Sequence, residues 1–128
     1  ALLSPWVNLG CEGWSYTARA EADPMITEAG IKRMAALYLD GADPAHPYAS
    51  PIHADLEGLP PMLIQVGPDE VLLSESLTLA ERAGAAQVAV HLEIWPNMFH
   101  VFQALYPFLS DARKAIARIG EWGAAQTG

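Results

Sequence analysis

Cysteine is all but missing from this 128-residue chain: Cys11 stands alone, so no disulfide can form within it. A reducing, cytoplasmic setting is the expectation that follows. Basic residues are also scarce, with 7 Lys and Arg against 15 Asp and Glu and a net charge of -8. Phosphate backbones would be repelled, which argues against a nucleic-acid partner. No apolar run approaches the roughly 18 residues of a membrane span. Ala1-Leu2-Leu3-Ser4 has neither an initiator Met nor a basic n-region, and is too short for a signal peptide. It reads as a strand entered midway. No pair among His46, His53, His91 and His100 has the i, i+4 spacing of metal ligands, and Cys11 is distant. Neither a metal nor a cofactor is expected. Asp40-Gly41-Ala42-Asp43 lacks the further ligands of a calcium loop. There is no internal repeat, and Gly-x-Ser-x-Gly occurs nowhere.

What is present suits a folded core. The chain is 52% hydrophobic and 17% charged, beyond the range of disorder and short enough for one domain. Ala1 to Ser4 predicts a buried strand ended by Pro5, and Trp6 to Pro24 predicts mostly loop, punctuated by Gly10, Gly13 and Asp23-Pro24. Thr27 caps a predicted helix over Glu28 to Leu39, with Ile31, Met34, Ala35 and Tyr38 at helical spacing and Gly41 as its stop. Five prolines between Asp43 and Pro61 predict an extended surface connection. Met62 to Val66 suits a strand buried on both faces. A helix capped by Ser74 should run to about Ala86, with Leu77, Ala80 and Ala83 inward and Glu75, Glu81 and Arg82 outward. Val88, Val90, Leu92 and Ile94 alternate with Ala89, His91 and Glu93, as in a strand near a sheet edge. A last helix, capped by Ser110, has Ala112, Ala115, Ile116 and Ile119 as its apolar stripe.

Strand and helix in alternation indicate the α/β class, with parallel strands and crossover helices. Ligands in such sheets sit beyond the carboxyl ends of the strands, where this chain places Asp69, Glu70 and His100. A carboxylate after one strand and an imidazole after the next is how α/β hydrolases supply the last two members of a triad, in the order nucleophile, acid, histidine.

Ser4-Pro5-Trp6 with Leu9, Ala22-Asp23-Pro24-Met25, Tyr38-Leu39-x-Gly41, Ala49-Ser50-Pro51, Gly58-Leu59-Pro60-Pro61 and Met98-Phe99-His100 follow one another in unbroken order. In this they resemble the hormone-sensitive-lipase family of α/β hydrolases, in its bacterial esterase branch. The resemblance implies that residues 1–128 are the C-terminal part of a single α/β-hydrolase domain, with the nucleophile and oxyanion segments upstream. It implies a carboxylic ester hydrolase, esterase or lipase, acting through a Ser-His-acid triad. The family's acid lies two residues before a leucine, which is Leu72 here and makes Glu70 the acid, 30 residues before His100. Asp69 is the alternative. Asn8, Gln87 and Asn97 depart from the family's pattern, the last two standing in turns where Gly is usual; Asn tolerates a positive φ there better than Gln.

In that mechanism His100 takes a proton from serine and Glu70 holds the imidazole tautomer. The chain alone is expected to be inactive. Ser15 lacks an elbow around it, while Ser74 and Ser76 suit a helix start. Trp95, Met98, Phe99, Val101 and Phe102 flank His100 as core, or in part as lining for an acyl or alcohol pocket. The expected partners are a small ester and the N-terminal half of the same domain. A homo-oligomer formed through Ala1 to Ser4 or Val88 to Ile94 is also expected, because unpaired apolar strand edges recruit other chains. The competing reading is a non-catalytic association module using those same edges.

Overall fold

The computed structural model describes residues 1–127 as β1 (Leu2–Leu3), α1 (Trp14–Ala18), α2 (Glu28–Leu39), β2 (Met62–Val66), α3 (Leu73–Ala85), β3 (Val90–Ile94) and α4 (Ser110–Thr127). Gly128, the last residue of the expected domain, lies outside them. Short 3-10 turns cover Pro51–His53 and Phe102–Leu105. The three strands form one parallel sheet in the order β1-β2-β3, with Leu2 opposite Ile64 and Ile64 opposite Leu92. This is the expected α/β class.

Strand β2 lies in the middle because both of its faces are apolar enough to be covered. Leu63, Ile64 and Val66 are fully buried, and each contributes about 2 kcal/mol through the apolar surface it removes from water. Ile64 packs with Leu79 and Ala83 of α3 on one side. On the other, the Gln65 Nε2 donates 3.1 Å to the carbonyl of Ala115 in α4. A buried amide in a central strand needs such partners, and Gln65 also donates to Glu93 Oε2 at 3.0 Å and accepts from Gln103 at 3.0 Å.

Helix α2 begins as its sequence requires: the Thr27 hydroxyl accepts the Gly30 N–H at 3.1 Å. It ends in left-handed backbone at Asp40 (φ 45°), one residue before Gly41 (φ 85°). Of its expected stripe, Ile31 and Ala35 are buried, whereas Met34 and Tyr38 are exposed. Gln87 and Asn97 both take positive φ, as turns that usually hold Gly demand.

Several expectations fail for identifiable reasons. Trp6 to Pro24 is mostly loop as expected, but it also holds the unforeseen α1, which forms because Ser15 and Tyr16 are buried partners for residues of α3. The proline-rich connection is anchored by buried Ile52 and Leu56. Ser74 lies inside the first turn of α3 rather than capping it, and Leu79, not Leu77, is buried there. Glu75 points inward at 1% exposure, not outward, because it collects backbone donors from the loop after β1. Ile94 and Ile116 are more exposed than their stripes implied, and Ile94 lines a groove between β3 and α4. Among the described residues no helix is long and apolar enough to cross a membrane.

Candidate active site

Glu70 and His100 come together beyond the carboxyl end of β2. Glu70 leaves the strand through Gly67-Pro68-Asp69 and is fully buried. Its Oε1 accepts the Gly67 N–H at 2.6 Å and the Ser4 hydroxyl at 2.8 Å. Its Oε2 lies 3.2 Å from His100 Nδ1. With Oε1 occupied by two donors, Oε2 is left to face the ring. The His100 side chain keeps 18% exposure, and Nε2 is the nitrogen left for chemistry. Asp69, half-buried, takes no part in this contact.

The two loops interlock. An ideal Cβ on Gly67 would fall 2.0 Å from the Met98 carbonyl oxygen, so only glycine lets the histidine loop cross so close to the end of β2. Val101, directly after His100, donates its N–H 3.1 Å to the Ser4 hydroxyl. Ser4 and Val101 both adopt left-handed backbone, at φ 45° and 48°, a conformation costing roughly 1–2 kcal/mol for a residue with a Cβ. Behind the loop, Phe102 is fully buried and packs with Met98, Ala112 and Ala115, its ring 5.7 Å from that of Trp95. The aromatic cluster around His100 is therefore an anchor of the loop.

Asp23 fixes the far side. Its Oδ2 accepts the Val71 N–H, directly after Glu70, at 2.9 Å, and its Oδ1 accepts the N–H groups of Met25 and Ile26. In the sequence Ser4 reads as a strand end and Asp23 as loop punctuation, both within the motifs that carry the family resemblance, but neither is assigned a contact at the site. The one signal of Gly67 is its place directly after Val66. Ser15 is occupied structurally: its hydroxyl donates 2.5 Å to the Val71 carbonyl and receives the Ser74 N–H at 3.0 Å. The histidines other than His100 are exposed and apart from it, and no His, Cys, Asp and Glu cluster suited to a metal occurs among the described residues.

A family model described as an alpha/beta hydrolase fold matches residues 1–104. The chain belongs to the α/β hydrolases. It is 46% identical over 126 residues to an acetyl-hydrolase of Streptomyces hygroscopicus, covering 98% of this chain and 42% of that one. An esterase of Acinetobacter venetianus is 36% identical, covering 94% and 40%. Among solved structures, an esterase from the bacterial hormone-sensitive lipase family superposes with a TM-score of 0.97 at 47% identity, covering 98% and 42%. The chain is thus a member of that family's bacterial esterase group. It spans about two-fifths of the length of these relatives.

Two further features of this α/β hydrolase bear on its site. A cleft of about 180 Å³ opens beside His100, lined by Trp6, Met25, Ile26, Ile31, Met34 and Leu72 among others. Trp95, Met98, Phe99, Val101 and Phe102 do not border it; Trp95, Met98 and Phe102 belong instead to the core behind the histidine loop. Below the acid loop, the Glu75 carboxylate accepts the N–H groups of Val7 (2.7 Å) and Asn8 (2.9 Å) and the Tyr16 hydroxyl. Burial raises the Glu75 carboxyl above its ordinary range, against the lowering effect of these donors. Burial, then the Glu75 contact, pushes the Tyr16 hydroxyl up as well. Burial also raises the Cys11 thiol, which makes it a poor nucleophile.

Proposed function

We propose that this chain carries the acid and the base of a serine carboxylesterase, Glu70 and His100. The observation that carries the reading is the contact of a fully buried carboxylate with Nδ1 of a partly exposed imidazole, at the strand ends where such sheets bind ligands. Glu70 keeps the proton on Nδ1, so that Nε2 can accept the proton of a serine hydroxyl as it attacks an ester carbonyl. His100 then returns that proton to the leaving alcohol, and Glu70 stabilises the imidazolium between the two steps. The nucleophile and the N–H groups that hold the oxyanion come from residues outside this chain, in the preceding half of the same domain. The apolar cleft beside His100 receives part of a small ester.

The test is a splice. The chain replaces the matching 126 residues of the related acetyl-hydrolase, and hydrolysis of p-nitrophenyl acetate is followed. The expected result is an active enzyme that falls to the buffer rate on His100→Ala. An active splice indifferent to His100→Ala refutes the reading.

A further inference from the structure

Among the described residues, the hydroxyl of Ser4 is the one side-chain hydroxyl that bonds to both the acid and the histidine loop. It donates to Glu70 Oε1 at 2.8 Å and accepts the Val101 N–H at 3.1 Å. Ser4 is 3% exposed and follows β1, so the point at which it holds both loops is fixed by the sheet itself. Its own amide donates 2.8 Å to the Gln65 carbonyl, which locks the residue against β2. Among the described residues no other hydroxyl reaches Glu70, and the remaining donor on Oε1, the Gly67 N–H, belongs to the acid loop alone. Holding left-handed φ in a residue other than glycine indicates that the surroundings impose this placement.

We propose that Ser4 is a positioning residue for the triad: its hydroxyl fixes which oxygen of Glu70 faces His100 and sets the distance between the two loops. The inference rests on the esterase reading, but the structural tie it describes can be measured apart from catalysis. Ser contributes two bonds through one oxygen, which neither Ala nor Gly can make. A loop shift of even an ångström at a triad costs rate without costing substrate binding. Loss of one donor from the carboxylate also leaves more of its charge to the imidazolium, which favours the protonated ring.

Two substitutions separate the hydroxyl from the backbone. Ser4→Ala keeps the Cβ and its strained φ; Ser4→Gly removes both hydroxyl and strain, so it survives if the alanine variant fails to fold. In the spliced enzyme, both are expected to lower kcat about 10–100-fold with KM changed less than about twofold, and to move the acidic limb of the kcat/KM profile to higher pH. In the 128-residue chain, NMR should show the Val101 amide exchanging about tenfold faster in Ser4→Gly, with the His100 Nδ1 proton resonance shifted. Unchanged kcat in Ser4→Gly overturns the proposal. So does a fall in kcat with the pH limb and the Nδ1 resonance unmoved, which marks a merely structural role. If His100→Ala leaves the spliced enzyme active, the esterase reading has failed, and the two NMR readouts still decide whether Ser4 ties the loops.

Discussion

Gly67 and Met98 lie so close that the two loops bearing Glu70 and His100 can meet only while residue 67 has no side chain. A Cβ there would sit 2.0 Å from the Met98 oxygen and 2.5 Å from its carbonyl carbon. The obstacle is backbone on both sides, so no rotamer change relieves it. Gly67→Ala should therefore lower stability by about 3 kcal/mol, the upper end of ordinary overpacking, and separate Glu70 from His100. Urea unfolding of the variant checks the first effect and the His100 Nδ1 resonance the second. A variant of unchanged midpoint with the resonance intact would contradict the interlock.

Glu75 gives the chain a pH dependence whose sign runs against the usual carboxylate. Its folded carboxyl titrates above its ordinary value of 4.5, chiefly because burial penalises the charge. Between those two values the folded state holds more protons than the unfolded, so this group's contribution to stability falls as pH rises from about 4.5. Glu75→Gln should flatten that part of the stability profile while keeping partners for Val7, Asn8 and Tyr16. Glu75→Ala strands those donors in the interior and should cost about 3 kcal/mol or more. Urea midpoints of the three proteins from pH 4 to 8 test this, and a glutamine variant with the same slope as the parent would refute it.

Much of this was readable from the residues. The capped stretch Glu28 to Leu39 and the branched run Met62 to Val66 defined α2 and β2 because local propensity favours each, and in β2 burial agrees as well. The alternation of elements placed Asp69, Glu70 and His100 at one end of the sheet. The family register favoured Glu70 over Asp69 without a geometric reason; in the structure only Glu70 meets the ring. What stayed hidden depended on long-range polar contacts. Ser4, Asp23 and Glu75 are short-range signals of strand end, loop and helix surface, and their buried roles arise from partners 48 to 97 residues away. Helix α1 was missed for the same reason: its five residues are stabilised by α3, not by their own propensity.

The sheet edges bear on how the isolated chain behaves. Among the described residues β1 pairs only with β2 on one side, and β3 likewise, so each has an unpaired edge. Unpaired edges beside apolar surface favour association. Sedimentation of the 128-residue chain should show association that increases with concentration. The same preparation should hydrolyse p-nitrophenyl esters no faster than buffer. A monodisperse monomer would remove the association reading, and turnover lost on His100→Ala would mean that a nucleophile lies within the chain.

The central claim is that buried Glu70, and not its neighbour Asp69, serves His100. Comparison of Glu70→Gln with Asp69→Asn in the spliced enzyme tests it most directly, with kcat for p-nitrophenyl acetate as the readout. Replacement of the tautomer-fixing carboxylate should lower kcat about 10³–10⁴-fold. Asp69→Asn, whose carboxylate does not meet the imidazole, should stay within about threefold of the parent, an effect of roughly 0.6 kcal/mol. A severe loss with Asp69→Asn, or full activity with Glu70→Gln, would contradict the account.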